Sequence, residues 1–77
     1  MTINIRYFAS LKERVGKTQQ KIDFIENESL INLWTRVNKD LNLPTNTLAA
    51  INQEYVDLQT LIKDGDEVAF FPPVTGG

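Results

Sequence analysis

Ten acidic residues against eight basic ones give this 77-residue chain a formal net charge of −2 and a sequence pI of about 4.9, and it contains neither histidine nor cysteine. The missing residue types exclude disulfides, thiolate metal sites, thiol nucleophiles and histidine-based triads or HExxH-type metal centres. The acidic balance argues against a phosphate-backbone binder and favours a basic cleft on a partner protein.

No apolar run approaches the roughly 18 residues of a membrane span, no signal-peptide pattern opens the chain, and no repeat or linker interrupts it. One small domain is expected over residues 1–77, with 72–77 as an extended, flexible C-terminal tail. Residues 2–8 alternate, placing Ile3, Ile5 and Tyr7 on one side and Asn4, Arg6 and Phe8 on the other, as in a strand with one buried face. Ser10-Leu11-Lys12-Glu13 fits a capping box, with Ser10 as N-cap and Glu13 as its reciprocal partner. Leu11 and Val15 share a face of the short helix that follows, and Gly16 ends it.

Residues 18–25 read as a second strand, Ile22 and Phe24 inward, Lys21 and Asp23 outward. Ser29 is the expected N-cap of the main helix, whose apolar stripe is Leu30, Leu33, Trp34, Val37 and Leu41. Asn32, Arg36, Asn38 and Lys39 are expected on its wet side, and Pro44 lies beyond its end. Trp34 belongs to the core on this spacing rather than to a stacking platform. Residues 48–51 form a short apolar strand, 52–54 a turn, and Tyr55-Val56 an edge segment. Leu58, Leu61 and Ile62 are expected to tuck under the sheet. Lys63-Asp64-Gly65-Asp66 is a turn with positive φ at Gly65, and residues 67–71 are the final strand.

Strand, strand, helix, then two or three strands, with the helix across one face of a mixed sheet of 4–5 strands, is an α+β layering of the β-grasp kind. The first and last strands are expected to be central neighbours. Parity then sends Phe8 and Phe71 to the face the helix leaves open, with Tyr55 at its margin, and an aromatic cluster beside a projecting tail reads as a docking surface.

The tail is Phe70-Phe71-Pro72-Pro73-Val74-Thr75-Gly76-Gly77. Pro72 and Pro73 lack an N–H and fix φ, so they stop ladder pairing and stiffen the exit. The four residues after them reach roughly 13 Å when extended, and two glycines fit a slot too narrow for side chains. The α-carboxylate of Gly77 is the candidate working group. Asp64, Asp66 and Glu67 lack the rest of a calcium loop, and no glycine-rich turn joins a strand to a helix. The domain is therefore not expected to catalyse anything alone. A carboxylate coupled to AMP becomes a reactive anhydride; a sulfur donor converts it to a thiocarboxylate, an amine to an isopeptide.

These residues bring the chain to a family. Arg6-Tyr7-Phe8-Ala9, Leu11-Lys12-Glu13-Arg14-Val15-Gly16, Ala50-Ile51-Asn52-Gln53 and above all 64–77, ending Phe-Pro-Pro-Val-Thr-Gly-Gly, resemble the small, sulfur-carrying subunit of molybdopterin synthase, a ubiquitin-like protein. Tyr55 departs from the aliphatic residues usual at its position. The resemblance implies a cytoplasmic, non-catalytic sulfur-donor subunit that binds no permanent cofactor and binds nucleotide only in adenylated form. An E1-like adenylyltransferase would use ATP to adenylate Gly77, and a persulfide donor would convert it to a thiocarboxylate. Sulfur would then pass to cyclic pyranopterin monophosphate in the large subunit, two of each subunit forming a heterotetramer for molybdenum cofactor biosynthesis. Phe8, Phe71 and Tyr55 would dock the body while Pro72, Pro73, Val74, Thr75 and Gly76 thread a channel. A thiamine-pathway sulfur carrier and a ubiquitin-like protein modifier share the fold and remain the alternatives.

Overall fold

The computed structural model describes residues 1–73, so the expectations placed on Val74, Thr75, Gly76 and Gly77 lie outside the described residues. Its elements run β1 (Thr2–Tyr7), α1 (Ala9–Val15), β2 (Gln19–Asp23), α2 (Leu30–Val37), β3 (Leu48–Ile51), β4 (Glu54–Val56) and β5 (Glu67–Phe71). The five strands form one sheet in the order β2-β1-β5-β3-β4. β1 and β5 pair in parallel at its centre, from Asn4 opposite Glu67 to Tyr7 opposite Phe70, and the other pairs are antiparallel. This is the β-grasp, ubiquitin-like arrangement that the order of elements predicts.

The alternation in β1 buries Ile3, Ile5 and Tyr7 on one side only. Against them pack Val68 and Phe70 from β5, Ala49 from β3, Leu11 from α1, and Leu30, Leu33 and Trp34 from α2. Trp34 meets Phe70 edge-on at 5.1 Å and Tyr7 at 6.0 Å between ring centroids, which places it in the core as its spacing requires. Its indole N–H donates to the Leu41 carbonyl at 2.7 Å, so the one polar atom of the buried ring is satisfied.

Capping decides the helix ends. Ser29 Oγ accepts the Asn32 N–H at 3.3 Å, as the sequence predicts for α2. Gly16 stops α1 at φ 82, its N–H donating to the Lys12 carbonyl. The capping box at Ser10 and Glu13 does not form: α1 begins two residues earlier, with Phe8 at the N-cap in extended geometry and no side-chain cap. Phe8 is held there by the ladder. Its N–H still donates to the Phe70 carbonyl at 3.1 Å, while its own carbonyl takes the Leu11 N–H at 3.1 Å, so the helical turn starts before Ser10.

Three further expectations are corrected. Leu41 is not on α2, which ends at Val37 with Asn38 as C-cap; a turn closed by Leu41 N–H to the Asn38 carbonyl at 3.0 Å folds it back beneath Trp34. Asn38 and Arg36 do not face water freely. Asn38 Nδ2 donates to the Tyr7 hydroxyl at 3.2 Å, and that hydroxyl donates to Gln20 Oε1 at 3.2 Å. Arg36 grips the nearly buried Glu28 carboxylate through Nε at 2.8 Å and Nη2 at 2.9 Å, and Nη2 also donates to the Asp23 carbonyl at the end of β2. The Glu28 hydrogen bond and charge hold the guanidinium above its ordinary pKa. Leu61 is 53% exposed rather than tucked in, because a bridge with Ser29 sets the local alternation and turns Ile62 inward instead.

The second strand is also shorter than residues 18–25, and Phe24 continues its inward side with an N–H bond to the Met1 carbonyl. Asn52 and Gln53 both take positive φ, 51° and 71°, the pattern of a tight two-residue hairpin between β3 and β4. Asn52 then ties that hairpin to β5, donating to Asp66 Oδ1 and accepting from the Glu67 N–H, each at 3.0 Å.

Candidate functional site

Because side chains alternate along every strand, the registers fix what occupies the face away from α2. One row across it reads Gln19, Arg6, Ala69, Ala50 and Tyr55, from β2 to β4. The next row, toward the exit of β5, sets Phe71 opposite Leu48, with Phe8 beyond Tyr7 on the other side of Phe71. The two alanines make a low floor. Around it the rings stand up: Phe71 lies 6.4 Å from Phe8 and 5.4 Å from Tyr55, both edge-on. Phe8 remains 43% exposed and Tyr55 73% exposed. The Arg6 guanidinium sits over the Phe8 ring, 5.7 Å from its centroid.

The structure therefore gathers Phe8, Phe71 and Tyr55 into one aromatic cluster. Phe8 reaches it by having no place in the core: it follows Tyr7 on the opposite parity, and its backbone is held by the β5 ladder. Phe71 is its counterpart at the end of β5, and Pro72 and Pro73 follow directly. Among the described residues Pro72 is half-buried and Pro73 exposed, so the chain leaves the sheet from the edge of the aromatic cluster. Gly77, Gly76, Thr75 and Val74 lie outside the described residues.

Sequence reading set Arg6 on the side of Phe8 and Ala69 on the side of Phe71 but gave neither a part in the site, and it did not place Leu48 or Ala50 on this face. Their signal is in the registers: once β5 pairs with β1 and β3 together, parity alone puts them beside Phe71. No group of three or more metal-ligating side chains occurs among the described residues, and none of their helices is long and apolar enough to cross a membrane. Two other concavities are set apart from the cluster. One hollow of about 450 Å³, lined by Met1, Phe24, Leu61 and Ile62 among others, lies where β2 leads into the loop before α2. A second of about 400 Å³ lies between the C-terminal ends of the two helices, lined by Arg14, Lys17 and Lys39 among others. The buried Tyr7 hydroxyl is shifted upward in pKa by desolvation, partly offset by the Asn38 hydrogen bond, and belongs to the core network.

Comparison with known proteins gives one pattern along the whole chain. The ThiS family description matches residues 5–77. The molybdopterin synthase sulfur carrier subunit of Escherichia coli (strain K12) is 40% identical over 84 aligned positions, covering 97% of this chain and 99% of that protein. Among solved structures, a chain of the complex of subunits 1 and 2 of the molybdopterin-converting factor from Helicobacter pylori is 27% identical with a TM-score of 0.65, covering all of both chains. The small archaeal modifier protein 1 of Methanosarcina acetivorans is 26% identical with a TM-score of 0.71, covering 99% of this chain and 96% of that one.

Proposed function

The chain belongs to the ThiS family, and we propose that it is the sulfur-carrying subunit of a molybdopterin synthase, presenting sulfur on the carbonyl carbon of Gly77. The observation that carries this reading is the join between aromatic face and tail: Phe71 is both the centre of the ring cluster and the last residue of β5, and two prolines follow it. A body docked through that face points whatever follows Pro73 into the same partner. The likeness to the Escherichia coli carrier subunit, which covers 97% of the chain, supports the choice of partner.

In this reading an E1-like adenylyltransferase brings ATP to the terminus. A Gly77 carboxylate oxygen attacks the α-phosphorus, pyrophosphate leaves, and the carbonyl acquires AMP as a leaving group. The terminal sulfur of a persulfide displaces AMP, and a thiol cleaves the remaining S–S bond to leave a thiocarboxylate. The carrier then docks on the large subunit through Phe8, Phe71 and Tyr55, with residues 72–76 threading its channel. Sulfur passes there to cyclic pyranopterin monophosphate, two carriers serving two large subunits in a cytoplasmic heterotetramer. The pocket chemistry is the large subunit's; this chain contributes the acyl terminus.

The similarity to a small archaeal modifier protein favours one second reading, attack on the activated carbonyl by a lysine of another protein. Mass measurement of the intact protein from its native cells separates the two. Oxygen-to-sulfur exchange at the terminus is expected of a carrier, and covalent adducts with other proteins of a modifier. Deleting Gly77, or adding residues after it, is expected to abolish sulfur loading while the body still folds. Undiminished loading of the truncated protein would refute the assignment.

A further inference from the structure

We propose that Arg6 is the polar specificity contact of the docking face, pairing with a carboxylate that the partner presents beside the aromatic cluster. The inference rests on the carrier reading, with the large subunit as the partner, and adds to it a charge requirement that the rings alone do not impose.

Arg6 is exposed, and it lies on the open face between Gln19 of β2 and Ala69 of β5, neither of which carries charge. The sole ion pair among the described residues is Arg36 with Glu28, in another part of the molecule. The guanidinium is nevertheless placed. Its central carbon lies over the Phe8 ring, 5.7 Å from the centroid and within cation–π range. A guanidinium held over a ring keeps its planar fork of donors free, and a carboxylate meeting it can take two parallel N–H···O bonds.

Two charges stand diagonally from Arg6 on the same face, Lys21 on β2 and Glu67 on β5, each opposite Asn4, and neither is ion-paired with it. Although the whole chain is acidic, residues 2–23, which span β1, α1 and β2, carry Arg6, Lys12, Arg14, Lys17 and Lys21 against Glu13 and Asp23. The β1–α1–β2 side is thus a positive pole, and Arg6 is where that pole meets the apolar cluster. A partner surface with an apolar recess alone satisfies the rings; one with an acid at the recess margin satisfies both and excludes uncharged or basic lookalikes.

The competing reading is that Arg6 only shields Phe8 with its aliphatic stem. Four variants separate the two, titrated calorimetrically against the large subunit from the same source at low and high salt, with thermal melts as folding controls. Arg6→Glu is expected to weaken binding about tenfold or more at low salt. Arg6→Met, which keeps the stem and loses the charge, should fall well below wild type, and Arg6→Lys should recover part of the loss. The gap between wild type and Arg6→Met should narrow as salt rises. Phe71→Ala serves as the reference for the face itself. If Phe71→Ala weakens binding while Arg6→Glu or Arg6→Met binds within twofold of wild type, the charge requirement is wrong and the carrier reading survives. If neither Phe71→Ala nor any Arg6 variant changes affinity, the face is not the docking surface and the proposal fails with it.

Discussion

Tyr55→Ala removes a ring that touches Phe71 at a centroid distance of 5.4 Å yet keeps 73% of its surface in solvent. Fully burying an aromatic side chain is worth about 1.5–3 kcal/mol. The fraction still uncovered leaves about 1–2 kcal/mol to be gained on docking, so the variant should bind the large subunit about 5- to 30-fold more weakly. Its cost to folding is smaller. The ring sits on the three-residue edge strand β4 and contributes one edge-on pair, worth about 0.5 kcal/mol here. The two quantities are measured separately, affinity by calorimetry and stability by urea unfolding. A dissociation constant within about twofold of wild type, with stability unchanged, would refute the argument that this exposed ring is held ready for a partner.

Two further predictions concern the body that holds the face in place. Arg36→Met strands the Glu28 carboxylate, which is 8% exposed and takes bonds of 2.8 and 2.9 Å from Arg36. Breaking a fully buried pair costs about 3–5 kcal/mol; with the Arg36 side chain 29% exposed, about 2 kcal/mol is expected in urea unfolding, partly restored by adding Glu28→Gln. A loss below about 0.5 kcal/mol would show that water replaces the guanidinium without penalty. Tyr7 gives the pH dependence. Burial raises its pKa in the folded chain above 10.0, so its contribution is complete below that value and is lost as pH rises through the folded one. Unfolding midpoints should fall more steeply with alkaline pH in the wild type than in Tyr7→Phe, and parallel profiles would contradict this.

The strands were legible because alternation and turn chemistry agree in them. Residues 48–51 and 67–71 match β3 and β5, and Gly65 takes the positive φ, 85°, that its turn calls for. The parity argument for Phe8 and Phe71 needed only that β1 and β5 be neighbours. What the sequence did not disclose was set by tertiary contact. Ser10 and Glu13 have the right spacing for a cap, but the ladder bond from Phe8 to Phe70 starts the helix earlier. Leu41 has helical spacing from Val37, but the helix has already ended, and the indole of Trp34 claims its carbonyl. Asn38 reads as a surface residue until Tyr7, 31 positions away, supplies a hydroxyl for it to meet. Arg6 reads as the polar half of an alternating strand, and only the position of Phe8 gives its charge a fixed place.

The parallel pairing of β1 with β5 has a consequence for how the molecule is made. The innermost strand of the sheet is the last one synthesised, and both β1 and β3 lean on it. A nascent chain that stops short of residue 67 has no middle, and its early strands must wait, unpaired on that side, for the ribosome to finish. Interrupted products therefore cannot compete as plausible but useless docking partners: whatever folds well enough to be recognised has already produced the strand from which the tail departs.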